Sequence, residues 1–144
     1  KNFIISFYLG KTRSASKILE VQTKVSNDKD KKLILRRMAG IAREFKTGIE
    51  ASNFEYLTDL MNENWELKKS MTSDISNSFI DDVYIAGIKS GAKAGKLLGA
   101  GGGGFVTFLA PKEVHSNIRK SLNKLKEVSL KMENYGSRII YNED

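Results

Sequence analysis

The chain has 144 residues, with 24 Lys and Arg against 17 Asp and Glu, one His, one Pro and no Cys, for a formal net charge of +7. That length suits one domain with a single apolar core. The lack of Cys removes disulfide scaffolds, Cys-ligated zinc, iron–sulfur clusters and thiol nucleophiles, and one His leaves Ser/His/Asp catalysis and His-rich metal sites without partners. No apolar run reaches the roughly 18–20 residues that cross a bilayer, and Lys1 to Ser6 has neither the basic region nor the cleavage-like site of a leader. The expected setting is soluble, reducing and cytoplasmic.

In chain order, Phe3, Ile5, Phe7 and Leu9 alternate with Ile4 and Tyr8, which predicts a strand over 2–9 buried largely on both faces. Gly10 to Arg13 interrupts it, and Ser14 is placed to cap a helix carrying Ile18, Leu19 and Val25. The polar run Ser26 to Lys32 reads as a joint. From Leu33, the stripe Ile34, Met38, Ile41, Ala42, Phe45 and Ile49 predicts a long amphipathic helix, and a further helix is expected from Phe54 to Met71 with Leu57, Leu60, Met61, Trp65 and Leu67 inward. Ser78 and Asp81 have capping-box spacing ahead of a helix that Gly91 ends.

Strands are expected over 92–98 and 105–109, a helix after Pro111 on the line Val114, Ile118, Leu122, and a last strand through Val128, Leu130 and Met132. Asn134 to Ser137 then turns the chain toward a short segment ending at Tyr141. This order predicts an α+β fold, a ferredoxin-like antiparallel sheet with additional helices packed on one face and inserted after the first strand.

Charge is uneven. Residues 1–50 hold 12 Lys and Arg against 5 Asp and Glu, whereas residues 51–144 hold 12 of each. A basic region attracts phosphates or nucleic acid, but a solvated helix face is the simpler explanation. A module stacking bases would expose aromatics on its sheet, and Phe3, Phe7 and Phe105 are expected to be buried.

The chemistry concentrates in the glycines. Eight of 12 fall between Gly87 and Gly104, and five lie in Gly99-Ala100-Gly101-Gly102-Gly103-Gly104. Each glycine costs about 0.5–1 kcal/mol relative to Ala in regular structure, so a plain hairpin accounts for one or two of them. The rest point to positive φ or to something touching bare backbone, whose successive N–H groups can converge on a phosphate. The run matches G-x-G-x-x-G formally, yet it precedes a strand where a dinucleotide fingerprint opens a helix. Gly95-Lys96 and Gly10-Lys11-Thr12 lack the first glycine of a P-loop, since positions 90 and 5 are Ser and Ile.

The stretch Gly91 to Phe105, with Ser73 to Ile88 before it, resembles the third signature of the GHMP kinases, the group of galactokinase, homoserine kinase and mevalonate kinase. Phe7 to Ala15 and the residues after it are similar to the branch that phosphorylates D-glycero-D-manno-heptose 7-phosphate. The resemblance implies that residues 1–144 form the C-terminal domain of a sugar kinase that uses ATP and Mg²⁺. The nucleotide loop and catalytic acid would then belong to a separate N-terminal domain, the partner of this chain, and the chain by itself is expected to be inactive. It also implies that Gly99, Ala100, Gly101, Gly102, Gly103 and Gly104 line the cleft and support the nucleotide loop.

Under that resemblance Lys96 and Arg13 are placed for contact with phosphate or sugar phosphate, although an exposed strand lysine and a cation near a helix start explain them equally. Asp81 and Asp82 read as capping residues, and no metal ligand is assigned in this chain. His115 is expected on an exposed helix face, and Trp65 and the methionines at core spacing. The rival functions are a basic nucleic-acid-binding module and a noncatalytic interaction domain.

Overall fold

The computed structural model describes residues 3–10, 28–99 and 101–130. The helix expected from Ser14, the segments expected beyond residue 130, Arg13 and Ala100 lie outside them. Strand β1 (Ile4–Tyr8) is followed by helices α1 (Lys29–Glu50), α2 (Phe54–Met71) and α3 (Ser78–Lys89). Strands β2 (Ala94–Leu98) and β3 (Phe105–Leu109), helix α4 (His115–Ser121) and strand β4 (Lys126–Val128) complete the order.

Helix α1 starts inside the polar run expected as a joint. The Asp28 carboxylate accepts from the Asp30 amide at 2.8 Å, which turns Lys29 to Lys32 into a solvated first turn. The helix stops at Ala51, Ser52 takes a φ of 52°, and Asn53 caps α2 by accepting from the Tyr56 amide at 3.0 Å. This tight connection folds α1 back along α2, and Gly48 marks the contact, because a Cβ there would lie 2.8 Å from Leu57 Cδ2. Ties follow along the hairpin: the Lys31 ammonium donates to the Ser70 carbonyl, Arg37 bridges Glu44 and Glu63, and the Tyr56 hydroxyl donates to Glu44 at 3.1 Å.

The cap of α3 is Asn77, one residue before the expected Ser78. Its side-chain oxygen accepts from the Ile80 amide at 3.1 Å, and Asp81 instead accepts from the Ser76 hydroxyl at 2.6 Å. With Asn77 as N-cap, Ser78 occupies the first helical position, so the capping-box spacing is out of register by one.

The strands form one antiparallel sheet in the order β2-β3-β1-β4. This is the ferredoxin-like arrangement, with the extra helices between β1 and β2. Register puts Ile5, Phe7, Val106, Phe108 and Leu97 on one face, where they join Trp65, Ile75, Ile80 and Ile118 in the main core. Phe108 fills the space above two glycines: a Cβ on Gly87 would lie 2.3 Å from its ring and one on Gly95 2.7 Å. Helix α2 runs beside the edge strand β2, with the Asn62 amide on the Lys93 carbonyl at 3.0 Å, and Met61 packs with Ala94 and Leu109 in a second cluster on the opposite face.

Three further expectations change. Strand β1 is not covered on both faces along its length, since Ile4 is 44% exposed while Ile5, Ser6 and Phe7 are buried. Strand β4 ends at Val128, where pairing with Ser6 stops, and Leu130 is exposed; a period of two needs a partner strand to become a ladder. His115 is buried, with a ring nitrogen 3.1 Å from the Ala110 carbonyl oxygen. The 3₁₀ turn Lys112–Val114 resets the phase, so the inward line is His115, Ile118 and Leu122, and Val114 is only half-buried.

Candidate functional site

The glycine-rich loop leaves β2 at Leu98 and enters β3 at Phe105, and it is fixed at three points. The Gly102 amide donates to the Ile75 carbonyl at 3.0 Å, and the Leu9 amide donates to the Gly104 carbonyl at 2.9 Å. The Lys68 ammonium donates to the Gly99 carbonyl at 2.5 Å. Gly101, Gly102 and Gly103 are buried, and Ile75 beneath them is fully so.

Gly99, Gly101, Gly102 and Gly104 all have positive φ, between 69° and 123°. At Gly101 the reason is also contact, since a Cβ would lie 2.9 Å from the Ile75 Cα. At Gly99 a Cβ would meet nothing within 4 Å, so conformation alone selects glycine there and open space lies beyond it. Because the Gly102 amide is already bound to Ile75, it is not one of the donors expected to face a phosphate. The loop is rigid from behind and bare toward Gly99.

One cation, Lys68, touches the loop, and a second, Lys96, lies nearby on β2. Lys96 on β2 donates to the Asn64 side-chain oxygen on α2, and Lys68 stands one helical turn further along. Burial pushes the Lys68 ammonium down to about 8, with the nearby Lys96 charge adding to the effect, and burial also lowers Lys96. Among the described residues neither lysine is in an ion pair; the cations that are paired are Arg37, Lys46, Lys69 and Arg119. Lys68 was missed in the sequence because it has the spacing of an ordinary late-helix cation that complements the dipole. Its contact with Gly99 depends on α2 running parallel to β2, which no local pattern encodes.

Among the described residues no group of three His, Asp or Glu could hold a metal ion. Asp81 accepts from the Ser76 hydroxyl and Asp82 is exposed, so the capping expected of them falls instead to Asn77. Phe3 and Phe105, expected to be buried, are 47% and 40% exposed. Each leans on another ring of the same chain, Phe3 on Phe54 at 4.7 Å between centroids and Phe105 on Tyr8 at 5.2 Å. No described helix is long and apolar enough to cross a membrane.

Comparison with known proteins places this geometry. The family model "GHMP kinases C terminal" matches residues 45–135, from the end of α1 past β4. The D-glycero-alpha-D-manno-heptose 7-phosphate kinase of Campylobacter jejuni is 27% identical over 120 residues, covering 83% of this chain and 35% of that protein. The bifunctional fucokinase/GDP-fucose pyrophosphorylase of Arabidopsis thaliana is 26% identical over 135 residues, covering 92% of this chain and 13% of that protein. Among solved structures, Methanococcus jannaschii mevalonate kinase superposes with a TM-score of 0.72 at 27% identity, covering 91% of this chain and 39% of that one. The chain thus spans about a third or less of the curated relatives it matches.

Proposed function

Because the chain belongs to the GHMP kinases, as their C-terminal domain, we propose that it serves an ATP-dependent kinase that transfers the γ-phosphoryl group to a hydroxyl of a phosphorylated sugar of the heptose class. The heptose 7-phosphate kinase and the fucokinase among its relatives support a sugar acceptor. In this reading the chain works with an N-terminal domain that binds most of the nucleotide, and it does not turn over ATP alone.

One observation carries the proposal: the loop of Gly99 to Gly104 is pinned to Ile75 on one side, open at Gly99 on the other, and flanked by Lys68, whose ammonium has no carboxylate partner among the described residues. Phosphoryl transfer is helped mainly by alignment and by charge placed where negative charge accumulates. The bare loop lets a phosphate-cradling segment approach the backbone, Ile75 holds the loop at a fixed depth, and Lys68 adds positive charge at its entrance. Arg13 is assigned a supporting part in holding phosphate, whereas Lys96, expected to share it, is turned to Asn64 and the pocket beneath α1 and α2. ATP supplies the transferred group and Mg²⁺ screens its charge; no described residue is assigned to the metal.

The test is steady-state kinetics on the intact kinase that carries this chain, with heptose 7-phosphate and with mevalonate as acceptors. Turnover is expected with the sugar phosphate. Gly99→Val and Lys68→Met should each lower kcat/KM at least about tenfold. Unchanged kinetics in both variants, or in Gly102→Val and Gly103→Val, would remove the loop from the reaction.

A further inference from the structure

On the sheet face opposite the main core, the register aligns three polar side chains across three strands: Ser6 on β1, Thr107 on β3 and Lys96 on β2. The Ser6 and Thr107 hydroxyls are buried and 2.7 Å apart, so they satisfy each other. Above this row, α1 and α2 roof a pocket of about 410 Å³. Its walls are apolar, among them Ile41, Phe45, Met61 and Leu109, and its polar lining is Lys96, Asn64 and Thr107.

An apolar chamber of this size is in the range of small-molecule sites, which combine greasy walls with a few placed polar groups. What sets this one apart is its charge. Lys96 is half-buried, its only described hydrogen-bond partner is the neutral Asn64, and Lys68 adds a second cation nearby. Of the ion pairs among the described residues none involves Lys96. A lysine that serves only the fold would be paired or extended into water. An ammonium kept at the rim of a hydrocarbon pocket is instead complementary to an anion that brings its own hydrocarbon.

We propose that this pocket binds a small amphiphilic anion, its hydrocarbon body among Ile41, Phe45, Met61 and Leu109 and its carboxylate or phosphate headgroup on the Lys96 ammonium. The glycine loop does not line the pocket, and the inference stands whether or not the chain's kinase reading holds. Asn64 orients the ammonium, and the Ser6–Thr107 pair offers the headgroup a hydroxyl without leaving a polar atom stranded.

The experiment is a titration of the chain with octanoate and with octyl phosphate, read from the methyl NMR signals of Ile41, Leu60, Met61 and Leu109, with octanol and inorganic phosphate as controls. Saturable shifts are expected with one or both amphiphiles, and the stronger of the two identifies the headgroup. Lys96→Met should weaken binding at least about tenfold and Lys96→Arg should largely restore it. Ala42→Trp fills the pocket from an exposed position of α1 and should abolish the shifts in a chain that still folds. Absence of saturable shifts at these methyls, or octanol binding as tightly as the anions, overturns the proposal, as does binding unaffected by Lys96→Met.

Discussion

Gly101 lies directly on the backbone of Ile75: a Cβ on residue 101 would come within 2.9 Å of the Ile75 Cα, and the neighbouring Gly102 amide is bound to the Ile75 carbonyl. Backbone cannot swing aside as a side-chain tip can, and the φ of 123° at Gly101 is closed to other residues at low energy. Gly101→Ala is therefore expected to destabilise the chain by about 2 kcal/mol or more. Urea denaturation measures the loss, and faster hydrogen exchange at the Gly102 amide shows that the loop has lifted from Ile75.

Phe108 sets a second steric limit. Gly87→Ala would give α3 a better helix former, worth about 1 kcal/mol, yet it would drive a methyl group into a fully buried ring 2.3 Å away. Overpacking in a tight core costs about 1–3 kcal/mol, so the net expectation is a loss. A gain in denaturation midpoint would show that the ring has room to move.

The Ser6–Thr107 pair predicts an asymmetry. Thr107→Val alone leaves a buried hydroxyl without its partner and should cost about 1–3 kcal/mol, whereas Ser6→Ala combined with Thr107→Val should be much nearer neutral. A double-mutant cycle reads this directly. Additive losses would mean that the 2.7 Å contact contributes nothing of its own.

Lys68 gives a pH signature with a definite sign. Its folded value is lowered from 10.5 to about 8, so between those values the unfolded chain holds more protons than the folded one. Stability contributed by this group therefore rises as pH climbs from about 8 to 10.5, and the penalty for burying the charge is fully present below about 8. Lys96 is shifted in the same direction. The difference in unfolding free energy between the wild type and Lys68→Met should change steadily over pH 8–10. A flat difference would place the lysine in water.

The sequence announced the elements that local chemistry dictates. The α1 helix, the boundaries Phe54–Met71 of α2 and the strand Phe105–Leu109 are all observed, because apolar periodicity and glycine breaks act over a few residues; of the expected α1 stripe Ile41 is buried and Ile34, Met38 and Phe45 are half-buried, whereas Ala42 and Ile49 are exposed. The errors occur where a distant partner decides. His115 turned inward because a 3₁₀ turn shifted the helix phase, and Leu130 stayed exposed because β1 pairs with β4 only as far as Val128. At the site, the need for glycine at 101 was visible as composition, but its cause, the Ile75 backbone some 25 positions earlier, was not. Lys68 was hidden for the same reason.

The seating of β1 between β3 and β4 has a kinetic consequence. Its hydroxyl at position 6 meets one 101 positions later, so the centre of the sheet waits until β3 is made. Closing so large a ring costs about 4 kcal/mol of chain entropy before any ladder bond repays it. The α1–α2 hairpin, whose ties span at most 39 positions, is able to form during synthesis, while β1 stays an unpaired, aggregation-prone ribbon until β3 arrives.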